Sequence, residues 1–395
     1  VDGPLAGLAV LELGGIGPAP FAGMVLADLG ADVLRLDRPG GSRYPGQPRH
    51  DLLNRGKRSV AIDLKQPAGA AAVRQLAARA DAVLEGFRPG VAERLGVGPA
   101  DCRAGNPRLV YCRMTGWGQS GPLAATAGHD LTYLAVAGLL HGLAPPGGPP
   151  AAPANLLGDY GGGGMLLVAG VLAALWLAQR TGQGQVVDAA IVDGAALLAT
   201  QLYGLRAGGM WADEPGTNLL DGGAPFYAVY PTADGRHLAV AALEPRFFAE
   251  LVTRLGLDPA ALPAQYDRAQ WPRLRELIGQ RLATRDRDEW AAVFAGSDAC
   301  VAPVLTPAEA AAHPHLAGRR VFTEVDGVTQ PAAAPRFSDT PAPGPRRRPP
   351  YPGEHTRQAL SGWGVPDVDA LLAAGVVHQA PPDVVPGSGA GKMEP

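Results

Sequence analysis

Residues 5–37 read LAGLAVLELGGIGPAPFAGMVLADLGADVLRLD, and an α/β architecture follows from them. Residues 5–13 form a short apolar run of strand character that stops at Gly14-Gly15-Ile16-Gly17-Pro18. Residues 21–29 then carry apolar side chains at helical spacing, and residues 32–37 (DVLRLD) read as a second strand. Apolar strands alternating with helices predict a parallel sheet covered on both faces. The alternation continues with strands at 59–62, 82–84, 109–114 and 184–189, and helices at 67–80, after His129, after Asp159 and from Asp193. The expectation is a Rossmann-like large domain over residues 1–200.

Beyond it the texture changes. Residues 201–224 are a polar, Gly-rich connector, and residues 225–243 read as a hairpin turning at Ala233-Asp234-Gly235. Helices starting at Arg246, Arg273, Asp288 and Pro307 complete a smaller α+β domain, expected over 225–325. Residues 326–378 begin as a Pro-rich arm and end in two short helices that return to the large domain. Residues 379–395 read as a flexible tail.

The chain has 395 residues, and its 47% hydrophobic content excludes disorder for most of it. A formal charge of −3 argues against a nucleic-acid partner, while local arginine clusters suit a small anionic ligand. Three cysteines, without C-x-x-C spacing, point to a reduced cytoplasmic protein rather than a zinc or disulfide scaffold. Residues 165–178 are fourteen apolar residues, short of the roughly 20 that span a bilayer, so a buried core helix is expected and no membrane. High Gly and Pro with Ala-rich helices suggest a GC-rich bacterial source.

The turn Gly15-x-Gly17-x-x-Pro20, with Asp37 closing the second strand, approaches a dinucleotide fingerprint. Pro20 spoils its third small position, and Arg35 and Arg38 flank the acid as though a phosphate lay nearby. That favours a nucleotide-like CoA over NAD(P), with a structural turn still open. Further cations stand at 54–58 (NRGKR, with Lys57) and in 86–94 (GFRPGVAER, with Arg88, Val91 and Arg94), and Arg88 and Arg94 follow a strand end. Pairing with Glu85 and Glu93 would make these merely structural.

Gly128-His129-Asp130 and Gly158-Asp159, the latter ahead of four glycines, offer an imidazole and a carboxylate at the entrances of two apolar helices. Asp130 reads as the N-cap of a helix over 131–143. Histidine titrates near neutrality and can serve as base and acid in one cycle. The glycine run would let backbone N–H groups approach a developing enolate oxygen. Glu244 closes the apolar run 238–243 before Pro245, where capping and functional roles are equally open.

LEGFRPGVAERLGVGP (84–99), YCRMTGWGQSGP (111–122), AGHDLTYLAVAGLLHGL (127–143), LLGDYGGGGM (156–165), GQVVDAAIVDG (184–194), LDGGAPFYAVY (220–230), QPAAAPRFSDTP (330–341) and PGEHTRQAL (352–360), with the opening βαβ unit, carry a nearly full-length resemblance. The chain resembles the alpha-methylacyl-CoA racemase branch of the class III CoA-transferase (CaiB/BaiF) superfamily. The resemblance implies an interlocked homodimer and a 2-methylacyl-CoA substrate, with His129 (supported by Glu244) and Asp159 as opposing bases. It implies CoA contacts at Ile16, Arg38, Lys57, Arg88, Val91, Arg94 and Tyr133. CoA then enters as part of the substrate, and no metal, nicotinamide or flavin is required. Transferases of the superfamily use an aspartate at the position of Asp159 as nucleophile, with an aromatic residue where this chain has His129 and commonly Gln-Ala where it has Leu134-Ala135. A CoA-transferase and a non-catalytic CoA-thioester-binding protein are therefore the alternatives.

Overall fold

The computed structural model describes residues 2–41, 47–145 and 147–381 and divides into two compact units. The first comprises residues 1–137, 153–198 and 314–395, the second residues 138–152 and 199–313. The first opens with β1 (Ala9–Leu13), α1 (Pro18–Asp28), β2 (Asp32–Asp37), β3 (Arg58–Ile62), α2 (Pro67–Ala77) and β4 (Ala82–Glu85). Short helices α3 (Val91–Arg94) and α4 (Pro99–Arg103) lead to β5 (Val110–Thr115) and α5 (Asp130–Val136). A π-helical segment, Leu156–Met165, runs straight into α6 (Leu166–Thr181), followed by β6 (Val186–Ala190) and α7 (Ile191–Leu198).

The second unit holds α8 (Thr200–Ala207), the hairpin β7 (Tyr227–Pro231) and β8 (His237–Ala241), α9 (Pro245–Leu255), α10 (Trp271–Leu282), α11 (Arg287–Phe294), β9 (Val301–Pro303) and α12 (Pro307–Ala312). Leu238 and Val240 of its antiparallel sheet, β7-β8-β9, share a core with Phe226, Trp271 and Trp290. The chain then re-enters the first unit as α13 (Pro314–Gly318), a hairpin of β10 (Phe322–Val325) and β11 (Val328–Pro331), α14 (Thr356–Gly362), α15 (Val368–Ala373) and β12 (Val377–His378).

The main sheet has the order β12-β3-β2-β1-β4-β5-β6, parallel from β3 to β6, with β12 antiparallel at the edge. Each strand alternates between two cores, which is why it reads as continuously apolar. Leu11, Leu34 and Val60 meet Leu76 of α2 and Leu360 of α14 on one face. Val10, Val33 and Leu84 meet Leu26 of α1 and Val171 of α6 on the other. The strand order reverses between β1 and β4, so a crevice opens beyond their carboxyl ends, where doubly wound sheets bind ligands.

Four expectations need correction. Residues 201–224 are no bare connector, because α8 fills part of them and the wholly buried Asn218 Nδ2 donates to Ala212 O (3.0 Å) and Asp221 Oδ2 (2.8 Å). The boundary near 325 moves to 313, since Arg55 ties the β10–β11 hairpin to the first unit through Gln330 Oε1 (3.0 Å) and Pro331 O (2.7 Å). The apolar helix is longer than its fourteen-residue core: residues 156–181 form a continuous 26-residue stretch, long and apolar enough to cross a membrane by length and composition. Leu167, Val168, Val171, Ala174 and Ala178 nevertheless bury one face of it in the protein. Nearly all of the tail expected over 379–395 lies outside the described residues.

The fourth correction is Lys57. Its ammonium is wholly buried and donates to Glu12 Oε2 (2.6 Å), Pro20 O (2.9 Å) and Asn54 Oδ1 (3.0 Å). An ammonium has three donors, so none is left for a ligand. Burial pulls its pKa down and the Glu12 carboxylate opposes that pull. Lys57 thus pins the first turn of α1 to β1. Removing one partner of a buried pair strands a charge, so Lys57→Met is expected to lose about 3–5 kcal/mol by urea denaturation, and Lys57→Met with Glu12→Leu to recover most of it.

Candidate active site

His129 is the N-cap of α5, with extended backbone (φ −140°, ψ 169°). The Thr132 hydroxyl accepts from His129 N–H at 3.0 Å and donates to His129 O at 2.7 Å. The cap is thus made without the imidazole, which stays exposed. Asp130, expected to cap α5, is instead its first helical residue and is buried. Its Oδ1 accepts the backbone N–H of Asp159 at 2.7 Å, satisfying a donor in the first turn of the π-helical segment.

Packing requires the glycines that follow Asp159. A Cβ on Gly162 would come within 2.7 Å of Ala195 N, and one on Gly194 would collide with Gly162 O. A Cβ on Gly164 would lie 2.6 Å from the Phe21 ring. Gly162, Gly163 and Gly164 are buried, so the segment is pressed onto α1 and α7. This contact sets the Asp159 carboxylate over the β1–α1 turn, where a Cβ at Gly17 would stand 3.3 Å from Oδ2. Asn155, left-handed at φ 55°, donates Nδ2 to the same oxygen at 3.3 Å.

His129 and Asp159 line one cavity of about 680 Å³, together with Ile16, Arg38, Arg88, Val91 and Tyr133. A second cavity, of about 440 Å³, lies over the carboxyl ends of β1 to β4 and shares Ile16, Arg38, Phe87 and Val91 with the first. Tyr133 is 7% exposed, and its ring meets Trp117 edge-on at 4.8 Å. It fits only because Gly116 and Gly128 lack the Cβ that would strike it.

Glu85 and Glu93, the acids close in sequence to Arg88 and Arg94, both bind Arg113 instead, at 3.0 and 2.8 Å. Arg88 and Arg38 stand exposed in the cavity wall, whereas Arg94 is exposed outside both walls. Glu244 belongs to the second unit, at the N-cap of α9, and makes no capping bond with its side chain. Phe87, Trp117, Asn155 and Tyr160 are wall residues that the sequence did not single out. Trp117 and Tyr160 lie inside the quoted motifs, but nothing in their spacing distinguishes a lining ring from a core ring.

Burial raises the Asp159 carboxyl above the usual range; the Asn155 bond opposes this, Asp130 adds to it and nearby His129 opposes it. Burial also raises Tyr133, reinforced by Asp159 and opposed by Arg88. A raised acid costs stability as pH climbs from its unfolded value of 3.8 through its folded value. Asp159→Asn is therefore expected to melt higher than the parent at neutral pH. The gain should vanish below the unfolded value, as thermal denaturation across pH will show.

The profile of CoA-transferase family III matches residues 5–356. The chain is 44% identical to alpha-methylacyl-CoA racemase of Mus musculus over 93% of its length and 95% of the relative's. It is 45% identical to that of Homo sapiens, covering 91% and 93%. The crystal structure of a CaiB/BaiF family protein from Brucella suis superposes with a TM-score of 0.80 at 29% identity, covering 92% of this chain and all of that one. With a doubly wound sheet, a glycine turn beneath Asp159 and the GHD and GDYGGGG segments on one cavity, the chain belongs to CoA-transferase family III.

Proposed function

We propose that the chain is an alpha-methylacyl-CoA racemase, interconverting 2R and 2S 2-methylacyl-CoA thioesters by proton transfer at C2. The observation that carries this is one cavity walled by both His129 and Asp159, with Arg38 and Arg88 at its margin. The two mammalian racemases, similar over most of the chain, support it. Guanidinium groups suit the phosphates of CoA, and an anchored handle holds the reacting carbon near the bases.

The thioester carbonyl acidifies the C2 hydrogen. One base removes that proton and an enolate forms; the second base delivers a proton to the opposite face. The raised Asp159 carboxyl suits a group that must hold a proton in one direction and release it in the other. The thioester supplies the activation, so neither metal nor redox cofactor is called upon.

A homodimer belongs to the same proposal. Val136, Leu156, Met165 and Trp176 leave large apolar surfaces in solvent on the first unit, the kind of surface a second chain covers. The free cysteines, two of them buried, suit a reducing compartment, and the cytoplasm is the proposed location.

The family's transferase chemistry is the second reading, with Asp159 as nucleophile, and the family description itself favours it. Incubation of one 2-methylacyl-CoA epimer in D₂O separates the two. Deuterium at C2 with inversion is expected, and His129→Ala and Asp159→Ala should each lower it by at least about 100-fold. Hydroxylamine-trapped modification of Asp159 without C2 exchange would establish transfer instead.

A further inference from the structure

The segment PGEHT (352–356) leads into α14 along the edge of the main sheet, where β3 has the two-residue strand β12 as its outer neighbour. Side chains finish that edge. His355 donates its backbone N–H to Ser59 O at 2.9 Å, and its Nδ1 accepts the N–H of Ser59 at 3.3 Å. The imidazole stands in for the carbonyl that a further strand residue would offer. The Thr356 hydroxyl accepts from Ala61 N–H at 3.1 Å and donates to His378 O at 2.7 Å, bridging β3 to β12. Gly353 N–H reaches Ser59 Oγ at 2.8 Å, and that hydroxyl donates to Asp37 Oδ2 at 2.7 Å.

We propose that His355 is a pH-sensitive latch: neutral, it holds the turn 352–356 and the end of β12 against β3, and protonated, it loosens one wall of the cavity of about 440 Å³. Asp37, Ile62, Asp63, Leu64, Lys65 and His378 belong to that wall. The family profile ends at residue 356, so β12 and His378 lie past it.

The tie fails at one proton. A ring nitrogen that accepts a hydrogen bond keeps its lone pair, so the neutral ring carries its proton on Nε2. An imidazolium has donors on both nitrogens, and Nδ1–H would then face Ser59 N–H. Ser59 is wholly buried, so its N–H has no water to turn to. The end of β12 follows the turn because it is fastened to it. Ala380 N–H donates to Gly353 O at 3.1 Å, and Gln379 Nε2 to Glu354 O at 2.8 Å. Ala359, Leu360 and Val377 stay in the core, so the opening is local.

Glu354, Arg347 and Arg348 face the ring from its own segment, and Arg58 faces it from β3. Arg348 is held by Glu354 at 2.9 Å and Arg58 by Asp32. Asp37 of β2 reaches the latch through Ser59, and His378 of β12 through Thr356. Burial lowers the His355 pKa below its ordinary 6.5; Glu354 opposes this, and Arg347, Arg58 and Arg348 add to it. The latch therefore contributes fully above pH 6.5 and is lost as pH falls through the lower folded value.

Hydrogen exchange on the full chain tests this without a ligand. Asp63 N–H donates to Val376 O at 2.9 Å, so its amide reports on the cavity wall. From about pH 7.5 to about pH 5, protection factors at the amides of Ser59, Ala61 and Asp63 should fall at least about fivefold, with those of β1 unchanged. His355→Asn, whose Oδ1 takes the place of Nδ1 and does not titrate, should keep its protection over that range. Flat protection in the parent overturns the latch, as does an equal fall in His355→Asn. Should that variant fail to fold, the midpoint of the loss is matched to the parent's imidazole titrations by NMR, and a midpoint that no ring shares overturns it. Protection lost at Ser59 and kept at Asp63 removes the link to the cavity. The latch does not rest on the racemase reading, whose failure the D₂O exchange reports separately.

Discussion

Gly162 and Gly194 meet backbone to backbone, and the geometry of the site depends on that contact. A helix that bears side chains at its interface keeps its axis some 8–10 Å from a neighbour. Here the π-helical segment sinks onto α7 and α1 because there is nothing to hold it off. Its depth decides where Asp159 ends up, over the glycine turn rather than beside it. The Asp130 carboxylate then fixes how the segment begins by taking the N–H of Asp159 itself. The two proposed bases sit on different elements, yet one buried carboxylate adjacent to the first holds the backbone of the second.

A second constraint acts from beneath. Lys57 joins β1, the first turn of α1 and the approach to β3, so the turn that faces Asp159 is tied to the sheet by charge as well as by packing. The fold sorts its cations accordingly. Arg55, Lys57 and Arg58 are consumed by Asp28, Glu12 and Asp32, and Arg113 absorbs the two glutamates near the crevice. Arg38 and Arg88 are left facing the cavity. Which arginines face the cavity is decided by which acids the others have been drawn to.

Much of this was legible in residues 5–37, because a parallel strand buried on both faces can only be apolar throughout, and the glycines ending β1 mark the crevice. His129 and Asp159 were legible as a pair because each stands at a helix entrance. The function of the glycine run was not. Close approach of backbone to ligand and close approach of backbone to backbone call for the same residue, and only the positions of Gly194 and Phe21 separate the two. Lys57 misled for a related reason: a lysine among arginines looks like a phosphate site until Glu12, 45 residues away, is found beneath it. Asp130 likewise has the sequence of a local cap and the geometry of a distant one.

The cap at His129 has a consequence for divergence. Thr132 satisfies the helix entrance through the backbone of residue 129, so the side chain there bears no part of the fold's stability. An extended backbone accepts almost any residue. The imidazole can therefore be replaced by another group while Asp130, the glycine contact and the arginines of the cavity wall all stay in place. The helix entrance therefore sets no stability condition on which side chain stands at this position, and a change there leaves the rest of the fold as it is.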